Sequence, residues 1–251
     1  MAITVLHGDM RAILDTIPSE SFDCIVTDPP YGETSLEWDR WVQGWPSLVA
    51  RVLKRTGSMW VFGSFRMFAD HWDEFDDFKF SHEVIWEKHN GSGLFNDRFR
   101  RVHEIAVHFY PKGTKWADVF KEPQFTNDAR ARVVRKKGRP AQWIGATGET
   151  VYRSEDGGPR LMRSVQFVRS EHGRAIHPTQ KPIGIIQPLL AYACPRGGSV
   201  LDPFSGSGSV GIAAKDNGCN ATLIELNPEY ADMARRRIEG DAPLFAEVAA
   251  Q

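Results

Sequence analysis

Two hydrophobic periods alternate along this chain, and the switches between them mark its elements. Ile3-Thr4-Val5-Leu6 is an apolar run ending at His7-Gly8-Asp9 and predicts a strand. Ile13, Leu14 and Ile17 share one face of a short helix that Pro18 stops. Residues 22–27 read as a buried strand, and a loop without clear period follows from Gly32 to Asp39. Trp41, Trp45, Leu48, Val49, Val52 and Leu53 fall at helical spacing, with Gly57 closing the turn after them. Ser58-Met59-Trp60-Val61-Phe62 predicts the next strand, residues 66–78 a helix, and 83–86 and 104–109 two more strands. From about Pro111 to Ile176 the pattern dissolves. It returns with a strand at 199–202, a helix from Ser209 to Asn217 and a strand at 221–224. The last helix has Asn227 as N-cap, Pro228 in its first position and Gly240 beyond its end. Residues 241–251 read as a loose tail.

This succession predicts an α/β fold, a mostly parallel sheet with helices on both faces. Neither repeats nor two clean linkers are present, so one α/β domain with an insertion fits better than two domains in series. The expected division is a first half over 1–110, an insertion over 111–176 and a second half over 177–251. No apolar stretch approaches the length of a membrane span, and no membrane partner is expected. The start, MAITVLHGD, has no basic region or cleavage signal and is not read as a secretory leader. Cys24, Cys194 and Cys219 are scattered and odd in number. They suit neither a disulfide framework nor a zinc site, so no metal is expected and a reducing cytoplasm is the expected setting.

Charge changes the picture of the middle. The net charge of -1 hides +8 over residues 87–176 and -9 over the remainder. A basic middle in an acidic frame is the asymmetry of an enzyme with a nucleic-acid face. Arg130, Arg132, Arg135, Lys136, Lys137 and Arg139 form the densest stretch. Trp116, Phe120, Phe125, Trp143 and Tyr152 are interleaved nearby and argue against disorder.

Three stretches carry chemistry. Asp28-Pro29-Pro30-Tyr31 ends a buried strand with a carboxylate, a stiff turn and an aromatic ring, at the sheet edge where open α/β sheets bind ligands. That combination suits a nucleobase. Gly206-Ser207-Gly208-Ser209-Val210-Gly211 follows a strand, opens a helix and has an acid, Glu225, 19 residues beyond Gly206. This is the context of an adenosine-cofactor loop, with Glu225 accepting from ribose hydroxyls. Asp202, in Asp202-Pro203-Phe204-Ser205, places a second carboxylate there, which repels a pyrophosphate and attracts an ammonium or sulfonium. S-adenosylmethionine, with a ribose, an ammonium and no phosphate, fits better than NAD. In His177-Pro178-Thr179-Gln180-Lys181-Pro182, two prolines brace polar side chains, and Lys181 and Thr179 are candidate partners of the cofactor carboxylate.

DPPY at 28–31, HPTQKP at 177–182 and DPFSGSG at 202–208 together resemble the amino-methylating DNA methyltransferases of the β arrangement. Trp86-Glu87-Lys88-His89-Asn90 and Val102-His103-Glu104 resemble the later strand motifs of that family, so the likeness covers nearly the whole chain outside 111–176. The resemblance implies the S-adenosylmethionine-dependent methyltransferase fold, a Rossmann-like seven-stranded sheet with one antiparallel strand, and a target-recognition region in the insertion. It implies methyl transfer to N6 of a flipped-out adenine in double-stranded DNA, since members with Asp first in the catalytic motif are mostly adenine enzymes. The alternative within the family is N4 of cytosine. It also implies a homodimer.

Asp28, Pro29, Pro30 and Tyr31 are then the catalytic candidates, with the Asp28 carboxylate and Pro29 carbonyl accepting from the amine and Tyr31 stacking on the base. Cofactor candidates are Asp9, His177, Thr179, Lys181, Asp202, Phe204, Ser205, Gly206, Gly208 and Glu225. The resemblance gives Asp9 the cofactor adenine, whereas the residue pattern equally supports a cap on the helix after it. DNA candidates are Lys88, Asn90, Arg98, Arg100, Arg101, Arg135, Lys136, Lys137 and Arg139. Two readings from other classes compete. An NAD-dependent oxidoreductase leaves DPPY without a use, and a catalytically dead DNA-binding regulator predicts altered acceptors where Asp28, Pro29 and Tyr31 are intact.

Overall fold

The computed structural model describes residues 1–92, 96–136, 138, 148–171, 173, 175 and 177–240. The expected tail at 241–251, Trp143, and the DNA candidates Lys137 and Arg139 lie outside them. Two compact units are present. One runs from Met1 to Glu122 and resumes at Ser164, and the other spans Pro123–Arg163.

The larger unit begins β1 (Ile3–His7), α1 (Met10–Thr16), β2 (Phe22–Thr27), α2 (Trp45–Val52), β3 (Leu53–Gly63) and α3 (Phe65–His71). A long antiparallel pair follows, β4 (Phe78–Ser92) and β5 (Arg101–Pro111). The smaller unit holds β6 (Phe125–Thr126), β7 (Arg132–Lys136), β8 (Thr150–Ser154) and β9 (Arg160–Leu161). The larger unit then resumes with β10 (Val165–Phe167), α4 (Ile183–Ala193), β11 (Ser199–Asp202), α5 (Ser209–Asp216), β12 (Asn220–Glu225) and α6 (Pro228–Glu239).

The main sheet has the order β1-β12-β11-β2-β3-β5-β4-β10. Only β5 runs against its neighbours, pairing antiparallel with both β3 and β4, while the other pairings are parallel. The mostly parallel sheet with one antiparallel strand is therefore present, and the three-residue β10 adds an eighth strand at the edge.

Successive residues of the central strands feed two cores. Cys24, Val26, Trp60, Phe62, Val200 and Leu223 pack on one face against α4 and α5. Ile25, Met59, Val61, Leu201 and Ile224 pack on the other with side chains of α1, α2 and α3. Burial on both faces is why these strands read as unbroken apolar runs rather than alternating ones. The last helix is capped as its sequence predicts, with Asn227 Oδ1 accepting from the backbone N–H groups of Glu229 and Tyr230.

Three local expectations give way: the helix expected over 66–78 ends at His71, passes into a 3-10 turn over Trp72–Phe75, and Phe78 already begins β4. The helix expected from Trp41 starts at Trp45, after Gly44 at φ +77°. Trp41 instead stacks on His71, with ring centroids 4.0 Å apart. Gly57 lies inside β3, where an added Cβ would meet the Asp23 carbonyl oxygen at 2.5 Å.

The insertion is more regular than its sequence suggests. In the smaller unit β6 pairs with β9 and β7 with β8, both antiparallel. Asp128 pairs with Arg160 at 2.6 Å, and Asp156 accepts from the Ala131 N–H at 2.7 Å. These strands are short and mostly exposed, so they bury no face whose alternation could be read.

Candidate active site

The carboxyl ends of β1, β2, β3, β11 and β12 open onto one cavity of about 440 Å³, within the usual range of small-molecule sites. Asp9, Thr27, Asp28, Phe62, Asp202 and Glu225 line it from the strand ends. Pro30, His177, Thr179, Lys181, Phe204, Ser205 and Gly206 complete much of its wall. Thus the three sequence stretches, far apart along the chain, meet at one sheet edge.

The glycine loop bends sharply after β11. Gly206 sits at φ +48°, and a Cβ there would lie 3.4 Å from the His177 ring. Gly208, at φ +75°, is the N-cap position of α5. A Cβ on Gly211 would come within 2.7 and 2.9 Å of the Leu223 and Ile238 side chains, so both would have to shift to admit it. Glu225 braces the loop: Oε2 accepts from the Gly206 N–H at 2.8 Å and Oε1 from the Asn227 N–H at 2.9 Å. Burial raises its pKa against those bonds.

Asp202 is buried at the end of β11. Its Oδ1 accepts from Thr27 Oγ1 at 2.9 Å and from the Phe204 N–H at 3.1 Å. Burial outweighs both and pushes its pKa up to about 7. Ser205 Oγ is buried and unpartnered among the described residues. His177 lies between Trp38, at 5.4 Å, and Tyr230, at 4.3 Å between ring centroids. Its Nδ1 accepts from the Thr179 N–H at 3.3 Å, and burial, aided by Lys181, holds its pKa down at about 4. The ring is therefore neutral near pH 7. Trp38 and Tyr230 also line the cavity, and the sequence reading misses both. Trp38 lies in a loop with no period, which the buried Asp39 carboxylate ties by accepting from the Gly32 and Thr34 N–H groups at 2.9 and 2.7 Å.

Asp9 accepts from the Arg11 N–H at 2.9 Å as the N-cap of α1, and its carboxylate also holds the Arg11 guanidinium. The capping alternative is thus realised, at a position that still lines the cavity.

Asp28 is gripped from both sides. Oδ1 accepts from the Tyr31 hydroxyl at 2.5 Å and Oδ2 from Lys181 Nζ at 2.5 Å. Burial raises the Asp28 pKa and the Lys181 ammonium opposes the rise. Lys181 also lies 3.2 Å from Glu104 Oε2. The ammonium expected on a cofactor carboxylate is therefore committed to two carboxylates of the protein. Lys88 is a second correction. The sequence places it on DNA, but it is largely buried, pairs with Glu104 and lies 4.5 Å over the Trp86 ring.

Of the other DNA candidates, Asn90 accepts from Ser170 Oγ at 3.0 Å, and the exposed Arg101 pairs with Glu33 at 3.3 Å. Arg98 and Arg100 are exposed between β4 and β5. In the smaller unit Arg135 is exposed on β7, and Lys136 follows it in the same strand. The three cysteines are free and buried. Cys194 and Cys219 converge on the Pro195 carbonyl, at 3.6 and 3.5 Å.

This geometry can be set beside known proteins. A family model described as DNA methylase matches residues 22–236. The chain is 28% identical to the type II methyltransferase M.HinfI of Haemophilus influenzae, over 96% of its own length and 69% of that protein's. The solved structure of an M1.HpyAVI-SAM complex has the same fold, with a TM-score of 0.62 at 23% identity, covering 94% of this chain and 99% of that one. So does the PvuII DNA methyltransferase, described as cytosine-N4-specific, with a TM-score of 0.63 at 15% identity and coverage of 99% and 90%.

Proposed function

The chain belongs to the N6/N4 DNA methylase family, and from that premise we propose that it methylates N6 of a flipped-out adenine in double-stranded DNA, using S-adenosylmethionine. The observation that carries this reading is Asp28, a carboxylate fixed on both oxygens at the mouth of a cavity suited to an adenosine ligand.

The cavity fits that cofactor. Asp202 would meet the cationic group of the cofactor with a buried carboxylate whose Oδ2 has no partner among the described residues. Ser205 Oγ offers an unused polar atom, and Gly206 leaves space that a side chain would fill. Glu225 would hold the ribose, and Trp38, His177 and Tyr230 supply aromatic surface. When bound, the cofactor supplies an electrophilic methyl on a sulfonium.

The protein's task is to present the amine. An exocyclic amine is a weak nucleophile because its lone pair is delocalised into the ring. Asp28 and the Pro29 carbonyl, by accepting its two N–H bonds, hold the lone pair out of conjugation. A carboxylate has about four acceptor sites, so the bonds to Tyr31 and Lys181 leave capacity for the amine. Since these acceptors are held before the base arrives, little reorganisation is needed. Extruding the base from the duplex costs a few kcal/mol. Stacking on Tyr31 and phosphate contacts from Arg98, Arg100, Arg101 and Arg135 offset that cost. No cysteine nucleophile is needed, and Cys194 is buried at the end of α4 instead.

Adenine is preferred to cytosine because Asp28 stands where the resemblance associates aspartate with adenine enzymes. The homodimer and the cytoplasmic setting rest on that resemblance and on cysteine usage. No helix among the described residues is long and apolar enough to cross a membrane. Base-resolved sequencing of DNA from cells expressing the protein should show N6-methyladenine at one recurrent sequence. Methyl groups on N4 of cytosine would overturn the adenine assignment.

A further inference from the structure

We propose that Lys181 is a positioning residue for the Asp28 carboxylate, and that Glu104 and Lys88 hold Lys181 in that role. The proposal rests on the reading of Asp28 as the acceptor for the target amine. Four side chains from four separate segments form a string of alternating charge. Asp28 follows β2, Lys181 precedes α4, Glu104 is on β5 and Lys88 on β4. Lys181 Nζ lies 2.5 Å from Asp28 Oδ2 and 3.2 Å from Glu104 Oε2, and Lys88 pairs with Glu104 Oε1. Two carboxylates and two ammoniums leave the string with no net charge.

Burial makes this arrangement obligatory. The Lys181 side chain is 8% exposed, Glu104 13% and Lys88 12%. A charge so buried is tolerated only when paired. Freeing Lys181 to bind a ligand carboxylate would strand part of the charge on Asp28 and Glu104, a far costlier state than either pair made. The Lys181 backbone is pinned as well, its carbonyl accepting from Ser209 Oγ at 2.9 Å. The faces of Tyr31 and Phe62 lie 5.7 and 5.5 Å from Nζ. The ammonium therefore has a fixed place, and with the Tyr31 hydroxyl it fixes the plane of the carboxylate that meets the amine.

Lys88 has a distinct part. Without it, Glu104 would present an unshared buried carboxylate to Lys181 and draw the ammonium from Asp28. Sharing Glu104 between two ammoniums leaves Lys181 on the reacting side. Burial works to raise the Glu104 pKa, but the two ammoniums bring it down to about 2, so it stays ionised at any working pH.

The test compares Lys181→Met, Glu104→Gln and Asp28→Ala with the wild type. Single-turnover methyl transfer at saturating S-adenosylmethionine is followed against pH, and cofactor binding is measured by calorimetry. In Lys181→Met the chemical step should slow by about 100-fold, with the cofactor Kd held within about threefold. The acid limb of its rate profile should move to higher pH, because the Tyr31 hydroxyl alone then opposes the rise that burial imposes on Asp28. Glu104→Gln, of nearly equal volume, should slow the step by about tenfold with binding again kept. It carries the test if Lys181→Met does not fold. A Lys181→Met enzyme with wild-type chemistry and weakened cofactor binding would assign the ammonium to the cofactor and overturn the proposal. Wild-type rates and pH profiles in both variants would overturn it too. Full activity in Asp28→Ala would instead remove the reading of Asp28 on which the proposal stands.

Discussion

On the proposed reading Asp202 couples cofactor affinity, pH and stability, and replacing it by asparagine should separate them. Its carboxyl is buried at the end of β11 and pushed from an ordinary 3.8 to about 7, chiefly by burial, with Asp28 and Glu225 adding to the rise. At 1.36 kcal/mol per pH unit, holding this anion costs the ligand-free protein roughly 4 kcal/mol, to order of magnitude. The sign follows from proton counting. Between 3.8 and about 7 the folded protein keeps a proton that the unfolded chain has lost. The contribution of Asp202 to stability is thus greatest below 3.8, falls as pH rises to about 7, and is level above. A cationic ligand takes the anion, so binding below about 7 must first expel the proton. Calorimetry with S-adenosylmethionine from about pH 5.5 to about 8.5 should show affinity falling about tenfold per unit on the acid side and level on the alkaline side. Asp202→Asn should bind weakly with a flatter profile, and it serves as the control for titration of the ligand itself. Without ligand at about pH 8 the variant should melt higher than the wild type, by about 2–4 °C for each kcal/mol relieved. A wild-type affinity as flat as the variant's, or a variant no more stable than the wild type at alkaline pH, would refute the reasoning.

Asp28→Ala should slow methyl transfer by about 1,000-fold or more while S-adenosylmethionine still binds, and unchanged turnover in a radiolabelled-methyl assay would sink the role of Asp28. His108 is fully buried with neither ring nitrogen bonded among the described residues, and burial holds its pKa well below the usual 6.5. The unfolded chain therefore binds the extra proton, and stability should fall as pH drops below 6.5, by roughly 1.4 kcal/mol per unit. Urea unfolding should show a smaller loss in His108→Phe; equal losses in both proteins would exclude His108 as the source. Replacing Arg130, Arg132 and Arg135 together by alanine should weaken DNA binding and reduce its salt slope by about one for each phosphate no longer neutralised. An unaltered slope would place the phosphate-binding face elsewhere.

Elements that bury two faces were legible, because a continuous apolar run bounded by glycine or proline leaves little choice. The strands around Ile25, Met59, Leu201 and Leu223 are of that kind. The last helix was legible through its cap, which is a local hydrogen-bond pattern. Trp41 misleads because its spacing to Trp45 suits a helix, yet both rings reach the same core from a loop and a helix start. In the smaller unit Val133, Val151 and Tyr152 are exposed, so the strands that carry them leave no periodic trace.

The site divides along the same line. DPPY, the glycine loop and Glu225 each consist of a strand end and the turn after it, so a short window contains the whole arrangement. The partners of Asp28 do not lie in any window, since Lys181 is 153 residues away. Counting Lys88 among the charges of a basic middle suggests a phosphate contact, and reading Lys181 beside two prolines suggests a cofactor contact. Both inferences treat an ammonium as free for a ligand. In the fold each is more than four-fifths buried and paired with a carboxylate of another segment. Net charge along a chain counts ammoniums that face solvent and ammoniums already paired inside the protein alike. Lys181 is the case in point: the ammonium that looks available to the methyl donor is already paired with Asp28 and Glu104.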